Sequence, residues 1–132
     1  MIAPLKMINS QCPFCDILED RKLIENNLAF GIPDNFPVTP FHSLVIPKRH
    51  VAYYFDLTES EIIACNRILK SLKVAIAKVD PTVVGFNIGV NAGLSAGQTI
   101  FHCHIHLIPR RKGDVKNPRG GVRHIIPGKG NY

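Results

Sequence analysis

One amphipathic helix near the middle of the chain constrains the fold more than any other feature. Thr58 and Glu61 have the spacing of an N-terminal capping box. From there to Asp80-Pro81, apolar residues recur at the spacing of a single helix face, and the proline ends the helical pattern. We therefore predict one long central helix between Thr58 and Asp80.

Short apolar runs bounded by turn residues predict strands on both sides of this helix. They are NLAFGI and HSLVIP before it, and TVVGFNIGV and TIFHCHIHLIP after it. The proline-bearing PDNFPVTPF is predicted to be a stiff loop, and FCDILEDRK a short N-terminal helix. Because strands and helices do not alternate, we predict an α+β fold with an antiparallel sheet of about five strands.

The length and the N-terminal sequence narrow the class of protein. A chain of 132 residues predicts one domain. No apolar run approaches the roughly 20 residues of a membrane span, and MIAPLKMINSQ lacks the apolar stretch of a signal peptide. We expect a cytoplasmic protein without a membrane partner. In that compartment the four cysteines are interpreted as thiols or metal ligands.

The net charge of +6 belongs to the C-terminal end of the chain. Residues 110–132 hold seven Lys or Arg and one Asp, whereas the remaining residues hold nine of each sign. Two interpretations stay open: a solvated, partly ordered extension, or a surface that attracts a phosphate chain or nucleic acid. Aromatic residues are sparse there, so a nucleic-acid partner held by base stacking is not expected.

Three histidines alternate with apolar residues in FHCHIHL. In a strand, His102, His104 and His106 would share one face, and the alternating residues from Phe101 onward would face the core. At about 3.3 Å per residue the outer two histidines would lie roughly 13 Å apart, too far to share one metal ion. The row is therefore predicted to be divided, with its two ends serving different purposes.

Cys12 and Cys15 have the Cys-x-x-Cys spacing that is typical of half a zinc site. A redox dithiol is the alternative, but no convincing strand precedes the motif as it would in a thioredoxin-like unit. His50 and one member of the histidine row are the best candidates to complete a closed, structural four-ligand site. Cys65 and Cys103 are interpreted as apolar packing residues.

The loop NAGLSAGQT precedes the histidine row. Small residues let backbone N–H groups approach an anion closely, so this loop is a candidate phosphate cradle. A neutral imidazole is a good nucleophile near pH 7. Its natural electrophile beside such a cradle is phosphorus.

GQTIFHCHIHLIPRRKGD resembles the signature of the histidine triad (HIT) family, and DNFPVTPFHSLVIPKRH resembles the family's second block. The resemblance covers about residues 12–114. It implies a single HIT domain over 1–132, with 115–132 as a basic C-terminal extension. It also implies a homodimer, formed by packing the long helix and extending the sheet across a two-fold axis.

The resemblance assigns roles to individual residues. His104 would attack an α-phosphorus to form a nucleotidyl-histidine intermediate, which water then hydrolyses. His106 would hydrogen-bond the phosphate, and Gln98 would lie near the leaving-group atom. The other implied contacts are Asp34 to the ribose, Phe14 and Ile17 to the base, Gly97 and Thr99 to the phosphate, Asn91 near the leaving group, and His42 beside the triad. Structural Zn²⁺ would be held by Cys12, Cys15, His50 and His102.

The substrate is predicted less narrowly than the site. PRRKGD resembles the fragile histidine triad branch, which implies a nucleotide hydrolase acting on diadenosine polyphosphates. Asp34 and the Cys-x-x-Cys motif resemble the branch of the nucleoside phosphoramidases, so an adenosine 5'-monophosphoramidase is the alternative. Phe41 stands where relatives often have glycine. A non-catalytic nucleotide- or RNA-binding module and a zinc hydrolase with an open metal site are alternatives from other classes.

Overall fold

The computed structural model describes residues 11–132 as one antiparallel sheet with a long helix on one face. The strands are β1 (Ile24–Glu25), β2 (Ala29–Pro33), β3 (Ser43–Pro47), β4 (Val83–Val90) and β5 (Ile105–Arg111), and the helix is α1 (Glu59–Val79). Their order in the sheet is β1-β2-β3-β5-β4, and every neighbouring pair is antiparallel. The predicted α+β architecture is confirmed. None of the helices in the described part has the length and apolar character needed to cross a membrane.

Helix α1 begins and ends as its sequence predicts. The Thr58 hydroxyl accepts from the Glu61 N–H at 3.1 Å, and the Glu61 carboxylate accepts from the Thr58 N–H at 2.8 Å. Arg49 donates to both oxygens of that carboxylate at 2.8 and 2.9 Å, and this pairing lowers the pKa of Glu61 to about 2. The capping box is thus tied to the end of β3 as well as to the helix.

The two faces of the sheet carry different clusters. Alternation along the strands sends Ala29, Val45, Ile105 and Leu107 toward α1, where they form the main core with one face of the helix. The intervening positions form a second cluster on the opposite face, namely Phe30, Ile32, Leu44 and Ile46 with Phe14 packed over them. His106 also belongs to that opposite face, because it pairs with Leu44 in the ladder.

The predicted N-terminal helix is much shorter than expected. Residues 11–16 form turns, and only Glu19–Arg21 adopt a 3₁₀ helix. The turn begins with the Cys15 N–H donating to the Cys12 carbonyl. Both cysteine side chains are directed to His102, and this long-range contact fixes a compact turn in place of a helix.

The last strand begins later than the sequence predicts. Its ladder with β3 starts at Ile105, so His102 and His104 precede the strand and only His106 lies on it. Pro47 has no N–H to continue the ladder, and its carbonyl accepts instead from the His102 ring at 2.7 Å. Phe101, predicted to face the core, is 38% exposed for the same reason, whereas Cys103 and Ile105 are buried as predicted.

Candidate active site and metal centre

Four metal-ligating side chains converge at the end of the sheet, on the turn 11–16, after β3 and before β5. The ligand atoms of Cys12, Cys15, His50 and His102 all lie within 4.8 Å of one another. The Nδ1 atom of His102 is 3.4 Å from Cys12 Sγ, 3.5 Å from Cys15 Sγ and 3.2 Å from His50 Nδ1. These are the four residues that the resemblance implies as metal ligands.

The geometry and chemistry of this cluster fit a tetrahedral metal ion. Bond lengths of about 2.0–2.3 Å place the ligand atoms of such a site about 3.3–3.8 Å apart, close to the distances found here. The His102 Nε2–H donates to the Pro47 carbonyl, so its Nδ1 carries the lone pair that a metal requires. Burial and the adjacent Cys12 raise the pKa of the Cys15 thiol to about 12, and a bound cation would reverse this by stabilising the thiolate.

A cavity of ≈460 Å³ lies beside the metal cluster on the sheet face opposite α1. Its floor crosses the sheet along one row of the ladder, from Ile32 through Leu44 to His106, and Gly89 continues that row beyond the lining residues. The remaining lining comes from the loops around this row. It comprises Pro13, Phe14, Arg21, Pro33, Asp34, Asn35, Phe36, Val38, His42, Asn91, Gly97, Thr99, Ile100 and His104.

The tautomer of His104 is set by the backbone. Its Nδ1 lies 2.8 Å from the His102 carbonyl oxygen, which can only accept, so Nδ1 carries the proton. The Nε2 lone pair is therefore left to react. The imidazole is 9% exposed and packs edge-on against the Phe14 ring at 5.0 Å between centroids. This is the protonation pattern that a nucleophilic histidine needs.

A chain of hydrogen bonds fixes the tautomer of His106 as well. The Val38 N–H donates to His42 Nδ1 at 3.1 Å, so His42 carries its proton on Nε2. That Nε2–H lies 2.9 Å from His106 Nδ1, which must accept, and His106 therefore carries its proton on Nε2. Asp34 Oδ2 is 3.3 Å from the same His42 nitrogen. His106 is thus prepared to donate one hydrogen bond inside the cavity.

Burial favours the neutral forms of His42 and His106. Burial lowers the pKa of His42, and the nearby Asp34 carboxylate opposes the shift. Burial also lowers the pKa of His106, with further lowering by the adjacent His104 and His42. Neutral rings are what the hydrogen-bond chain requires, because a doubly protonated His42 could not accept from Val38.

Two residues expected at the substrate lie outside the cavity. The Gln98 side chain is buried and spends its amide on the backbone: Oε1 accepts from the Gly93 N–H, and Nε2 donates to the Ala52 and Ile100 carbonyls. Its amide therefore links the loop to Ala52 and Ile100. Ile17 packs against the cluster around Phe14 and does not reach the cavity surface.

The loop before the histidines is more closed than a phosphate cradle would be. The N–H groups of Gly93, Ala96, Gly97 and Gln98 all bond within the loop itself. Gly97 and Thr99 line the cavity as expected, and Asn91 lines it from the end of β4. The side chains of Thr99 and Asn91 are available for polar contacts inside the cavity.

Sequence reasoning missed several residues on the rim of the cavity. Arg21 donates to the Asn35 side chain at 2.8 Å and to the Pro33 carbonyl at 3.3 Å, which holds the proline-bearing loop in place. Phe36 is 86% exposed at the same rim. A single arginine or phenylalanine in a sequence does not indicate a binding site. Only the asparagines and prolines of the loop could have indicated that it forms a wall of the cavity.

Comparison with known proteins confirms the family. The HIT domain profile matches residues 17–113. A 16.1 kDa HIT-like protein of Mycoplasma pneumoniae is 36% identical over an alignment of 115 residues that covers 83% of this chain and 78% of that protein. Adenylylsulfatase HINT3 of Arabidopsis thaliana is 36% identical over 81% of this chain and 56% of its own length. An asymmetrical bis(5'-nucleosyl)-tetraphosphatase of Schizosaccharomyces pombe is 42% identical over 59% of this chain and 42% of its own length.

Solved structures show the same fold. A Zn-bound histidine triad family protein from Mycobacterium smegmatis superposes with a TM-score of 0.73 at 33% identity, covering 80% of this chain and 79% of that chain. The diadenosine triphosphate hydrolase of Plasmodium falciparum gives a TM-score of 0.67 at 31% identity, covering 76% and 68%. The family profile, the relatives and the fold agree, and the chain belongs to the HIT domain family.

Proposed function

We propose that this protein is a nucleotide hydrolase that cleaves dinucleoside polyphosphates at the α-phosphate through a nucleotidyl-His104 intermediate. The observation that carries this proposal is the backbone bond that holds the proton on Nδ1 of His104 and leaves Nε2 free. Relatives named as an adenylylsulfatase, a bis(5'-nucleosyl)-tetraphosphatase and a diadenosine triphosphate hydrolase support hydrolysis of a nucleotide phosphate bond.

The apolar end of the cavity suits the nucleoside. Phe14, Ile32 and Leu44 offer apolar surface to a base. Asp34 is the ribose-hydroxyl acceptor: its Oδ1 already accepts from the Phe36 N–H at 2.8 Å, and a carboxylate oxygen has lone pairs for a further donor. This placement brings the α-phosphate to the histidine end of the same cavity.

The reaction divides into two displacements at phosphorus. In the first, His104 Nε2 attacks, the P–N bond forms, and the bridging P–O bond breaks to release the second nucleotide. In the next, water attacks, the new P–O bond forms, the P–N bond breaks and returns its electron pair to His104 Nε2, and the attacking water releases one proton to the solvent. His106 donates its Nε2–H to a phosphate oxygen in both steps, and the relay through His42 keeps it in that form.

We propose further that the metal is structural zinc. Two thiolates and two imidazoles are a donor set that Zn²⁺ takes in closed structural sites, and four protein ligands leave no open position for substrate. Zinc at this cluster would fix His102, whose carbonyl holds the His104 ring, and so would orient the nucleophile. The chemistry then rests on imidazoles and not on a Lewis acid.

The protein is also proposed to be a homodimer. Strand β4 lies at the edge of the sheet, and its Val84 and Ile88 are exposed. Helix α1 exposes Ile62 and Ile63. Apolar side chains on an unpaired edge and on a helix are typical of a surface covered by another copy.

The cytoplasmic location stays a prediction.

A substrate screen on wild type and His104→Asn tests the proposal. Wild type should hydrolyse diadenosine polyphosphates faster than adenosine 5'-phosphoramidate, and His104→Asn should lose turnover of both while still binding the mononucleotide. Faster turnover of the phosphoramidate would establish the alternative, a nucleoside phosphoramidase. Unchanged turnover in His104→Asn would contradict the mechanism, and activity that survives in folded, metal-depleted protein would exclude a zinc hydrolase.

A further inference from the structure

A second cavity adjoins the catalytic one on the same face of the sheet. Its volume is ≈500 Å³, within the range of roughly 300–1,000 Å³ that small-molecule sites occupy. We call it the tail cavity, because strands β4 and β5 form its floor and residues 115–132, the tail, form its outer wall. Its main lining residues are Val38, Asn87, Ile108, Arg110, Val115 and His124. Val38 lines both cavities, so they share a wall.

The tail is folded tightly enough to form a wall. Gly120 has φ +93, and a Cβ there would lie 2.1 Å from the Gly130 carbonyl oxygen, so the two segments meet backbone to backbone. A Cβ on Gly130 would collide with the His124 ring. Arg119 and Arg123 each stack on the Tyr132 ring at 4.8 Å. The tail is therefore packed against itself and against β4, where Gly121 approaches Asn87.

The two cavities are connected across Gly89, which has no side chain. Gly89 pairs with His106, and Asn87 pairs with Ile108 one row further along the sheet. A Cβ on Gly89 would meet nothing within 4 Å, so open space lies above it. Neighbouring rows on one face are about 6.7 Å apart. A phosphate chain that extends from the catalytic histidines over Gly89 is therefore long enough to reach the tail cavity. A small leaving group, such as ammonia or a single phosphate, is too short to reach it.

The charges suit a nucleotide whose base is neutral and whose phosphates are anionic. Inside the tail cavity, the charge of Arg110 is paired: the guanidinium donates to both oxygens of Asp114 and also to Asn87 Oδ1 at 2.6 Å. The interior is therefore polar but close to neutral, with apolar surface from Ile108 and Val115. The surplus positive charge lies on Lys112 and on the tail itself, at Lys116, Arg119, Arg123 and Lys129, and none of these side chains lines the cavity.

We propose that the tail cavity binds the second nucleoside of a dinucleoside polyphosphate, the half that departs when His104 attacks. This inference rests on the proposed hydrolase function and names what its leaving group contacts. The phosphate chain crosses Gly89, and the tail contributes binding energy only to substrates long enough to reach it. The tail thereby selects dinucleoside polyphosphates over nucleotides with a small leaving group.

Filling the tail cavity tests this inference. Val115→Trp places a large ring in the cavity, and Val122→Trp is the matched control, because Val122 is 59% exposed on the same tail and does not line the cavity. We expect Val115→Trp to lower kcat/KM for diadenosine tetraphosphate by about tenfold or more, with a much smaller effect on adenosine 5'-phosphoramidate. Val122→Trp should leave both values within about twofold of wild type.

Gly89→Val gives the same test without touching the tail. Valine suits a strand, and the space above Gly89 accommodates it, so a selective loss with diadenosine tetraphosphate is expected again. Equal losses with both substrates, or no loss in either variant, would overturn the inference while leaving the hydrolase intact. If wild type turned over neither substrate, the proposed function itself would fall, and this inference with it.

Discussion

Hydrogen bonds to the backbone determine which ring nitrogen carries the proton in His104 and, through His42, in His106. The His102 carbonyl fixes the proton of His104, and the Val38 N–H fixes, through His42, the proton of His106. The sequence shows where the histidines are, but the ring nitrogen that carries the proton depends on the geometry of the loops around each ring.

The lowered pKa values of the relay histidines predict a loss of stability in mild acid. On unfolding, the pKa values of His42 and His106 return to the ordinary imidazole value of about 6.5. Below that pH the unfolded chain therefore binds more protons than the folded protein. The free energy of unfolding should therefore fall by about 1–2 kcal/mol as the pH is lowered from 7 to 5.5.

Denaturant titrations of wild type and His42→Asn measure this. The variant lacks one buried imidazole, so its free energy of unfolding should depend less on pH over the same interval. Any contribution from the metal cluster is common to both proteins and cancels in the comparison. Identical slopes would show that His42 has the same proton affinity in both states.

Backbone strain at Phe41 makes a second prediction at this scale. Phe41 has φ +70, the left-handed region that costs a residue with a Cβ roughly 1–2 kcal/mol, while glycine adopts it freely. Phe41→Gly should therefore be about 1 kcal/mol more stable to unfolding than Phe41→Ala, although both lack the ring. Calorimetry decides the order, and greater stability of the alanine variant would contradict the assignment of strain.

The sequence predicts an element well where the residues that determine it all lie within that element. The capping box and the apolar face of α1 lie within one segment, and that helix was placed within a residue at each end. The strand at the histidine row was predicted too long, because its first residues are decided by Pro47, a partner distant in sequence. The bracing role of Gln98 depends on Ala52 in the same way.

The pairing of Arg49 with Glu61 predicts a stability that disappears in acid. The pKa of Glu61 is lowered from its ordinary value of 4.5 to about 2, so the stabilisation is present above that ordinary value and is lost as the pH falls toward 2. Glu61→Gln should cost about 2 kcal/mol at neutral pH.

Unfolding of Glu61→Gln beside wild type from pH 6 to pH 2.5 checks this prediction. The difference between the two proteins should shrink steadily below pH 4.5, because the unfolded wild-type chain then takes up a proton on Glu61 while the folded carboxylate, paired with Arg49, stays ionised until the pH approaches 2. A difference that stays constant over this range would mean that the charge of Glu61 contributes nothing to the fold.

At the scale of the whole molecule, the tail is the part that the sequence predicted least. Its composition gave a charge and two open interpretations. The structure adds that the tail is a packed segment whose contacts are between glycines, His124 and the end of the chain. Glycine-to-glycine contact leaves no periodic pattern in a sequence. The family signature, by contrast, is short and local, so the sheet face that carries the site was predictable.

Removal of the proposed zinc should loosen the end of the sheet that lies beside the turn 11–16. The cluster joins the turn 11–16 to His50 and His102. Chelation should lower the melting temperature and expose two thiols, Cys12 and Cys15, to a thiol reagent, while Cys65 and Cys103 stay buried. Holoprotein whose four thiols react alike before and after chelation would contradict a metal bridge.

The most direct test of the account is to map the covalent intermediate. Wild-type protein mixed with diadenosine tetraphosphate and quenched in mid-turnover is digested, and its peptides are weighed. The account predicts one nucleotidyl group, carried by His104 and absent from His104→Asn. A nucleotidyl group on His106 or on any other residue would contradict it.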